Sequence, residues 1–381
     1  MAWIPILFWS SAAWLGYTYA GYPALIAAAA RIRPRPWRKV GILPDVSLIV
    51  AAWNEEAVIA EKIENALAAD YPQDRLEILI ASDGSSDATV AIARRYQDRG
   101  VRVLDLPRGG KTATLNRAVA EARGEILVFS DANVFLAPNA LKRLVRHFAD
   151  PSIGGVTGDV RLKPEGFTLG QSQGLYYRYE RFIQEAESEV GSTIGADGGM
   201  YAIRRTCFQP VPEEVINDDF VISMNVIAQN RRLVYDPSAI AYEDSPPNAG
   251  LEFDRKTRVE HGNFQSLFGG HGRPGLRHPW TLFAYLSHKA SRWLAFVPLS
   301  LAMTTSIALA RTGPLHATAL GLQSLFYFLA LLGWRLEGKG GPILSVPFYF
   351  VLENLAAARG LVRAVTGKRA WGSTRVRVKD A

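Results

Sequence analysis

Two side chains that bear oxygen, Asp131 and Asn133, follow a short apolar run and could bind a divalent cation. The run at residues 126–130 is apolar or small with β-branched and aromatic members, which predicts a strand buried on both faces. In an open α/β sheet, ligands bind beyond the carboxyl ends of the strands, where both side chains would stand. Their oxygens suit Mg²⁺ or Mn²⁺, whose remaining ligands are water and substrate phosphates. A capping aspartate and a turn asparagine are the alternative interpretation.

Strand-like and helix-like segments alternate through the middle of the chain. This alternation predicts an α/β domain built on a doubly wound, mostly parallel sheet. The predicted strands cover residues 46–53, 76–82, 101–106 and 126–130, and the predicted helices cover 55–69, 87–99 and 112–123.

Polar or glycine residues stand at the carboxyl end of every predicted strand. Because parallel strands present these ends along one edge of a sheet, the residues should line a single crevice suited to a nucleotide diphosphate and a metal ion. They are Asn54, Glu55, Asp83, Gly109, Gly110, Lys111, Asp131 and Asn133.

Two familiar nucleotide-binding motifs do not fit the chain. Asp105 stands where a Walker A motif ending at Lys111 would require its first glycine. The sequence AWNEE at 52–56 replaces the glycine-rich turn of dinucleotide-binding folds. The chain is therefore predicted to have neither a P-loop nor a hydride-transfer site.

Candidate groups for an acceptor side occur in the second half. Asn217, Asp218 and Asp219 precede an apolar-periodic run, so they could cap a helix and stabilise its dipole. A carboxylate at such a helix start could equally serve as a general base. The glycine-rich stretch at 196–201 could let the backbone approach a ligand closely, or it could be a structural turn.

Composition and charge favour contact with a membrane. The chain is 48% hydrophobic with 9 Trp and 14 Tyr, and its net charge of +7 is concentrated in basic flanks at 31–39 and 359–379. The rest of the chain is net negative, which argues against a nucleic-acid-binding body and for flanks beside an anionic leaflet. The single cysteine, Cys207, excludes an internal disulfide.

Long uncharged segments predict membrane helices on both sides of the α/β domain. Residues 1–30 are expected to form a transmembrane helix, because they exceed the roughly 20 residues that a span requires and hold interfacial aromatics. The expected order continues with a basic linker at 31–44, an amphipathic interfacial helix at 271–292, transmembrane helices at 293–310 and 314–334, a third membrane or re-entrant helix at 341–363, and a basic cytoplasmic tail at 364–381.

The placement of charge predicts the topology of these segments. The basic cluster after the first helix places the N-terminus outside and the α/β domain in the cytoplasm. If all three C-terminal segments crossed the membrane, the basic tail would emerge outside, against the positive-inside rule. We therefore expect that the segment around Glu353 does not span the membrane, since a charge at mid-membrane is costly.

Six motifs between residues 45 and 270 resemble those of family 2 glycosyltransferases in order and spacing. They are AAWNEE at 51–56, SDGSSDAT at 82–89, GGK at 109–111, SDAN at 130–133, ADGGMYAIRR at 196–205 and NDDF at 217–220. The layout is similar to that of the membrane subgroup with cellulose, hyaluronan and poly-N-acetylglucosamine synthases. The resemblance implies a GT-A fold at 45–270, a nucleotide-sugar donor that is usually a UDP-sugar, a divalent metal and inversion at the anomeric carbon.

The resemblance also implies roles for individual residues. Asp131 would hold the metal together with Asn133, which replaces the second aspartate of the usual D-x-D motif. Asp219 would be the base, with Asp218 as the next candidate. The implied donor site comprises Ala52, Asn54, Glu55, Asp83, Gly110, Lys111, Asp131, Arg255 and Arg258, and the implied acceptor site comprises Asp197, Gly198 and Gly199.

One motif departs from the family pattern. Processive synthases have Q-x-x-R-W, whereas this chain has RKTRV at 255–259, which retains Arg258 and lacks the tryptophan that would contact an acceptor sugar. Processive elongation is therefore in doubt, and a solvated basic helix face is the alternative interpretation of these charges.

These observations predict an inverting transferase in the cytoplasmic (inner) membrane that moves a sugar from a UDP-sugar to a lipid-linked or polysaccharide acceptor. Polysaccharide-export proteins are further expected partners. A nucleotidyl- or phospho-transferase with the same crevice and a non-catalytic subunit of a polysaccharide assembly system are the alternatives.

Overall fold

The computed structural model describes residues 3–163, 170–244, 248–337 and 340–367. Eight strands form one sheet in the order β3-β2-β1-β4-β7-β6-β8-β5. They are β1 (Val46–Ala52), β2 (Leu76–Asp83), β3 (Val101–Leu106), β4 (Ile126–Asp131), β5 (Val134–Leu136), β6 (Ile153–Leu162), β7 (Met200–Arg204) and β8 (Arg232–Glu243).

The predicted parallel sheet forms one half of the observed sheet, and the other half is mixed. Strands β3, β2, β1 and β4 pair in parallel, and their bounds lie within one residue of the prediction. Beyond β4 the sheet includes antiparallel neighbours, because β7 pairs antiparallel with β4 and β6, and β5 pairs antiparallel with β8. The prediction of a mostly parallel sheet therefore holds for the half that carries the first four motifs.

The helices pack on both faces of this sheet and beside it. They are α1 (Trp3–Gly16), α2 (Tyr22–Ile32), α3 (Ile59–Leu67), α4 (Thr89–Arg94), α5 (Lys111–Glu121), α6 (Ala140–Val145), α7 (Gly170–Val190), α8 (Asp218–Ala228), α9 (Ala249–Gly269), α10 (Pro279–Ala284), α11 (Ser291–Trp293), α12 (Phe296–Leu309), α13 (Pro314–Arg335) and α14 (Pro342–Thr366).

Successive residues of the strands enter two cores. Ile49 and Phe129 face the core shared with α5, α7, α8 and α9, whereas Leu48 and Val128 face the core shared with α3 and α6. This double burial explains why β1 and β4 are nearly continuous apolar runs.

Two predicted helices are shorter than expected. Helix α3 begins at Ile59 rather than residue 55, because Asn54 has a left-handed backbone (φ 54°) and residues 56–58 form a turn. Helix α4 ends at Arg94, and the segment Gln97–Arg99 is a separate 3₁₀ turn.

A helical assembly formed by α1, α12, α13 and α14 lies beside the α/β domain. Each of these helices packs on the next in the order α1, α12, α13, α14, and α14 also packs along α9. Large apolar side chains remain exposed on its surface, including Trp3, Trp9, Leu322, Phe328, Trp334 and Ile343. Such a patch is typical of contact with a membrane or a partner.

Within the described residues, α13 alone is long and apolar enough to cross a membrane as one helix. A second span would exist if residues 279–293 and α12, which meet at a bend of 56°, counted together. The predicted span at 1–30 is observed as α1 and α2 joined by the π-helix Tyr17–Gly21. The spans at 1–30 and 293–310 therefore remain predictions.

Helix α14 extends over the predicted segment 341–363 and is bound to the α/β domain by ion pairs. Glu353 lies 2.6 Å from Lys256 of α9, and Arg359 lies 3.0 Å from Asp254. A Cβ at Gly360 would lie 2.7 Å from the Cβ of Glu260, so glycine permits the close crossing of the two helices. Glu353 is thus paired with a lysine of the α/β domain. Residues 368–381 of the predicted tail lie outside the described residues.

The predicted amphipathic segment 271–292 becomes helical only at Pro279. Helices α10 and α11 are joined by the π-helix Tyr285–Ala290, and the segment ends at Trp293. Lys289 and Arg292 form ion pairs with Glu180 of α7. These two basic side chains therefore face the protein, and the interfacial location of the segment stays a prediction.

Candidate active site

The loop between β3 and α5 is held by the carboxylate of Asp83. Its Oδ1 accepts hydrogen bonds from the backbone N–H groups of Gly109 (2.7 Å) and Gly110 (2.9 Å), and its Oδ2 lies 3.0 Å from Arg108 Nη1. Gly110 has φ 95°, a conformation that favours glycine. Asp83 thus fixes the backbone immediately before Lys111, and its contact with a nucleotide stays a prediction.

Asn54 and Glu55 connect the end of β1 to the loop after β2. The side-chain oxygen of Asn54 accepts a hydrogen bond from Ser86 N (2.8 Å), and Thr89 Oγ1 accepts one from Glu55 N (2.8 Å). Ala52 is buried at the last position of β1. These residues lie at the predicted edge of the sheet and hold two of its loops together.

The side chain of Lys111 lies in a cleft where three motifs meet, namely GGK, SDAN and NDDF. Its Nζ lies 2.9 Å from Asp131 Oδ1, at the end of β4, and 3.6 Å from Asp218 Oδ1, at the start of α8. Gly198 and Tyr201 line the same cleft. Burial alone would lower the pKa of Lys111, but the carboxylates of Asp131, Asp218 and Asp219 raise it above its usual value.

The two aspartates at the start of α8 have raised pKa values. Burial is the largest cause for both, and the charge of Asp218 contributes further to raising the pKa of Asp219 to about 7. A carboxylate that titrates near neutrality is well matched to a general base. Asp219 also faces the glycine-rich loop, since a Cβ at Gly198 would lie 2.6 Å from Asp219 Oδ2.

The capping interpretation of Asn217 is wrong in its detail. Asn217 occupies the N-cap position of α8, but its side chain makes no capping hydrogen bond. It donates instead to Val259 O and to Asn263 Oδ1 of α9, both at 2.9 Å. Asn217 therefore joins α8 to α9.

The loop at 195–199 forms a hydrogen-bonded turn, and the side chain of Asp219 lies close to its backbone. Asp197 Oδ1 accepts a hydrogen bond from Gly199 N (3.0 Å), and Asp197 N donates to Thr157 Oγ1 (2.9 Å). Burial raises the pKa of Asp197. The absence of a side chain at Gly198 leaves the space that Asp219 occupies. The turn interpretation therefore holds, and close approach of this backbone to a ligand stays a prediction.

Asp131 and Asn133 supply few protein ligands for a cation. In the described part of the chain, no three His, Cys, Asp or Glu side chains are grouped as a metal site. Asn133 Oδ1 is buried and has no hydrogen-bond partner among the residues that the structure describes, and the carboxylate of Asp131 faces the cleft. This sparse oxygen set fits Mg²⁺ or Mn²⁺, which commonly retain water and substrate phosphates as ligands.

Glu243 is a site residue that the motifs did not predict. Asn133 Nδ2 donates to Glu243 Oε1 (3.2 Å), and burial together with the charges of Asp131 and Asp197 raises the pKa of Glu243 to about 7 against the effect of Arg255. Glu243 reaches the cleft because it lies opposite Val134 in the pairing of β5 with β8. That pairing is long-range, and no local sequence signal marks it.

The two predicted arginines of α9 differ in their surroundings. Arg255 forms two 2.8 Å hydrogen bonds with the buried Glu252, so its guanidinium is already engaged. Arg258 is exposed, and its charge acts on Asp218 to lower the pKa of that carboxyl against the larger effect of burial. Of the two, Arg258 is therefore the arginine with an exposed side chain.

Comparison with known proteins finds a family match over part of the chain. The model of Glycosyl transferase family 2 matches residues 47–209. The beta-monoglucosyldiacylglycerol synthase of a Synechocystis strain is 29% identical over 192 residues, which are 48% of this chain and 40% of that protein. The poly-beta-1,6-N-acetyl-D-glucosamine synthase of Staphylococcus aureus is 24% identical over 243 residues, which are 62% of this chain and 58% of that protein. The chain thus spans about half the length of these curated relatives.

A solved structure has the same fold over nearly all of the chain. The mannosyltransferase PcManGT from Pyrobaculum calidifontis, in complex with GDP-Man and Mn²⁺, superimposes with a TM-score of 0.71 and 24% identity, covering 95% of this chain and 99% of that one. Residues 47–209 thus match the family 2 glycosyltransferase model, and the chain shares its fold with a solved GT-A glycosyltransferase, as the motifs predicted.

Proposed function

We propose that the protein is an inverting glycosyltransferase that moves a sugar from a UDP-sugar to a lipid-linked or polysaccharide acceptor at the cytoplasmic membrane. The observation that supports this most directly is the convergence of Lys111, Asp131, Asp218 and Asp219 in one cleft at the carboxyl edge of the sheet. These groups combine diphosphate-binding and proton-accepting chemistry.

On the donor side, the diphosphate would lie against Lys111 and Arg258. Asp131 and Asn133 would hold Mg²⁺ or Mn²⁺, which supplies positive charge to the departing diphosphate when bound. The N-terminus of α5 begins at Lys111 and adds N–H donors, which favour an anion. The loop that Asp83 fixes would keep these N–H groups in place before the UDP-sugar binds.

On the acceptor side, Asp219 would act as the base. An acceptor hydroxyl oxygen bonds to the anomeric carbon, the bond from that carbon to the diphosphate oxygen breaks, and the hydroxyl proton passes to a carboxylate oxygen of Asp219. Attack from the face opposite the diphosphate inverts the anomeric centre. The raised pKa of Asp219 makes this carboxylate a stronger proton acceptor than an ordinary aspartate.

The acceptor class is inferred from the surface and from the relatives. The exposed apolar side chains of α1, α12, α13 and α14 favour a membrane location, and the basic flanks favour a cytoplasmic catalytic domain. The names of the two relatives specify a glycolipid and a β-1,6-linked glycan. Both are compatible with a hydroxyl acceptor close to the membrane.

The test is a donor screen with purified protein in detergent. UDP-glucose, UDP-galactose, UDP-N-acetylglucosamine and GDP-mannose are each incubated with diacylglycerol or a β-linked oligosaccharide, and nucleoside diphosphate release and the anomeric configuration of the product are measured. We expect Mn²⁺-dependent release with one UDP-sugar and an inverted product. Release with GDP-mannose alone would contradict the proposed donor, and no release with any donor would favour a non-catalytic subunit.

A further inference from the structure

Lys62 is fully buried beneath the segment that contains Asp131 and Asn133. Its ammonium group, on α3, donates to Ser130 Oγ (2.7 Å) and to the backbone carbonyl oxygen of Val134. These two partners stand directly before and after the residues 131–133. One side chain therefore ties both ends of the predicted metal-binding turn.

The same helix holds the next part of the segment. Asn65, one turn after Lys62, donates from Nδ2 to Leu136 O (2.9 Å) and accepts from Leu136 N at its Oδ1 (2.8 Å). Helix α3 thus makes four hydrogen bonds to residues 130–136 through two side chains. Side chains of α3, and not strand pairing alone, therefore hold the turn after β4.

Ser130 extends this network to the acceptor side. Its hydroxyl oxygen lies 3.0 Å from the carbonyl oxygen of Gly199, to which the hydroxyl donates. Gly199 belongs to the loop whose neighbour Gly198 contacts Asp219. A chain of hydrogen bonds therefore connects Lys62 to both the Asp131 turn and the loop beside Asp219.

The energetic cost of burying Lys62 suggests that its role is specific. Burying an ammonium group without a paired charge is expensive. Lys62 forms no ion pair within the described ranges, and Asp131 is the carboxylate whose charge acts on it, although burial still lowers the pKa of Lys62 to about 7. A methionine would fill the same space without this cost, so packing alone does not explain a lysine here.

We propose that Lys62 is a positioning residue that holds Asp131 and Asn133 in the geometry required to bind the metal–diphosphate group of the donor. This inference rests on the proposed function, because it concerns the same cleft. Residues that orient metal ligands typically change metal affinity by about 10- to 100-fold when they are replaced. The effect of Lys62 should fall in that range.

The experiment compares Lys62→Met and Lys62→Gln with the parent and with Lys142→Met. Lys142 is a matched control, since it is an exposed lysine whose ion pair with Asp70 lies on the surface of α6. Free Mn²⁺ is measured by electron paramagnetic resonance during titration of each full-length protein with Mn²⁺ and UDP. Thermal unfolding of each variant without metal is recorded alongside.

We expect the dissociation constant for Mn²⁺ with UDP to rise by about tenfold or more in Lys62→Met and by less in Lys62→Gln, which retains one hydrogen-bonding group. Lys142→Met should match the parent. High Mn²⁺ should restore UDP binding to Lys62→Met, which a simple loss of folded protein would not permit.

A folded Lys62→Met or Lys62→Gln that binds Mn²⁺ and UDP within twofold of the parent would overturn the inference. If Lys62→Met does not fold, the Lys62→Gln titration decides the question alone. A parent that binds no Mn²⁺ with UDP would instead refute the proposed function itself, and the two failures are therefore distinguishable.

Discussion

Two clusters of largely buried charge in this protein are balanced differently. In the cleft, the ammonium of Lys111 lies among the carboxylates of Asp131, Asp218 and Asp219. The excess of negative charge adds to burial and raises the pKa of Asp219 to about 7. This imbalance is typical of a site that binds a further cation and accepts a proton.

The second cluster lies between α7 and the helical segment at 279–293. Glu180 contacts Lys289 and Arg292, and His288 lies between Glu180 (3.2 Å) and Glu187 (2.9 Å). Burial would raise the pKa of Glu180, but these basic groups hold it well below its usual value. Carboxylates and cations are matched here, so the cluster acts as an attachment between the domain and the helices rather than as a reactive site.

The balance of positive and negative charge distinguishes the reactive cleft from the structural attachment more clearly than burial does. Glu180 and Asp218 are both shielded from solvent, with exposed side-chain fractions of 14% and 4%. A substitution in the cleft should impair catalysis with little effect on stability, whereas a substitution in the helix cluster should do the reverse.

The largest effect is expected for Asp219→Asn. The substitution preserves shape and hydrogen bonding but removes basicity, so turnover at saturating donor should fall by about 10² to 10⁴-fold. Binding of Mn²⁺ with UDP should remain near the parental value, and the melting temperature should not fall. Retention of more than about a tenth of parental turnover would refute Asp219 as the base and make Asp218 the next candidate.

The converse effect is expected for Glu180→Gln. Removing one member of a buried, matched cluster leaves Lys289 and Arg292 without their partner, which typically costs about 3–5 kcal/mol of unfolding free energy. Thermal unfolding in detergent should show this loss, while the folded fraction binds Mn²⁺ and UDP normally. A variant that keeps its stability but loses UDP affinity would show that the two clusters are not separate in function.

A smaller effect is expected at the metal-binding turn. Asp131 provides the only carboxylate of the motif, so Asp131→Ala should remove the Mn²⁺-dependent part of UDP binding. Asn133→Asp should keep or tighten that binding, because it supplies a second charged ligand. Isothermal titration with and without Mn²⁺ measures both, and equal UDP affinity of the parent in the two conditions would exclude this metal site.

Most of the parallel half of the fold could be predicted because its signals are local. Each of β1, β2 and β4 is a mainly apolar run that ends beside its polar residues, so the strand, its end and its candidate ligands are adjacent in sequence. The position of Lys111 between Asp131 and Asp218 could not be derived in this way. It requires α5, β4 and α8 to meet in three dimensions.

Site residues whose contacts are distant in sequence could not be predicted from local patterns. Glu243 joins the site through the antiparallel pairing of β5 with β8. Lys62 stands on the apolar stripe that Ile59, Ile63 and Ala66 form on α3, but its hydrogen-bond partners are distant in sequence. Asp83 was predicted at the right edge, but its contacts with Gly109 and Gly110 depend on the loop conformation. Local patterns thus indicate which strand end is functional, whereas the partners of each side chain depend on tertiary packing.

The smallest effect, and the most specific, is a shift in pH dependence. Asp219 is active as a base only when ionised, so turnover should decline as the pH falls through its pKa of about 7. The charge of Asp218 contributes to raising that pKa, so Asp218→Asn should lower it and move the acidic limb of the kcat profile to lower pH, on the order of one unit. The midpoint of the acidic limb should still lie above the pKa range of an exposed aspartate, because burial is the largest cause of the raised pKa of Asp219.

Glu243→Gln is the matched control for this shift. Glu243 is also a carboxylate with a pKa of about 7, raised partly by the charges of Asp131 and Asp197, and it is not among the main causes of the raised pKa of Asp219. Its substitution should therefore leave the acidic limb where the parent has it, whatever happens to the rate. If the limb disappears in Glu243→Gln and stays in place in Asp218→Asn, the titrating group in catalysis is Glu243, and the excess charge in the cleft serves a different carboxylate from the one at the start of α8.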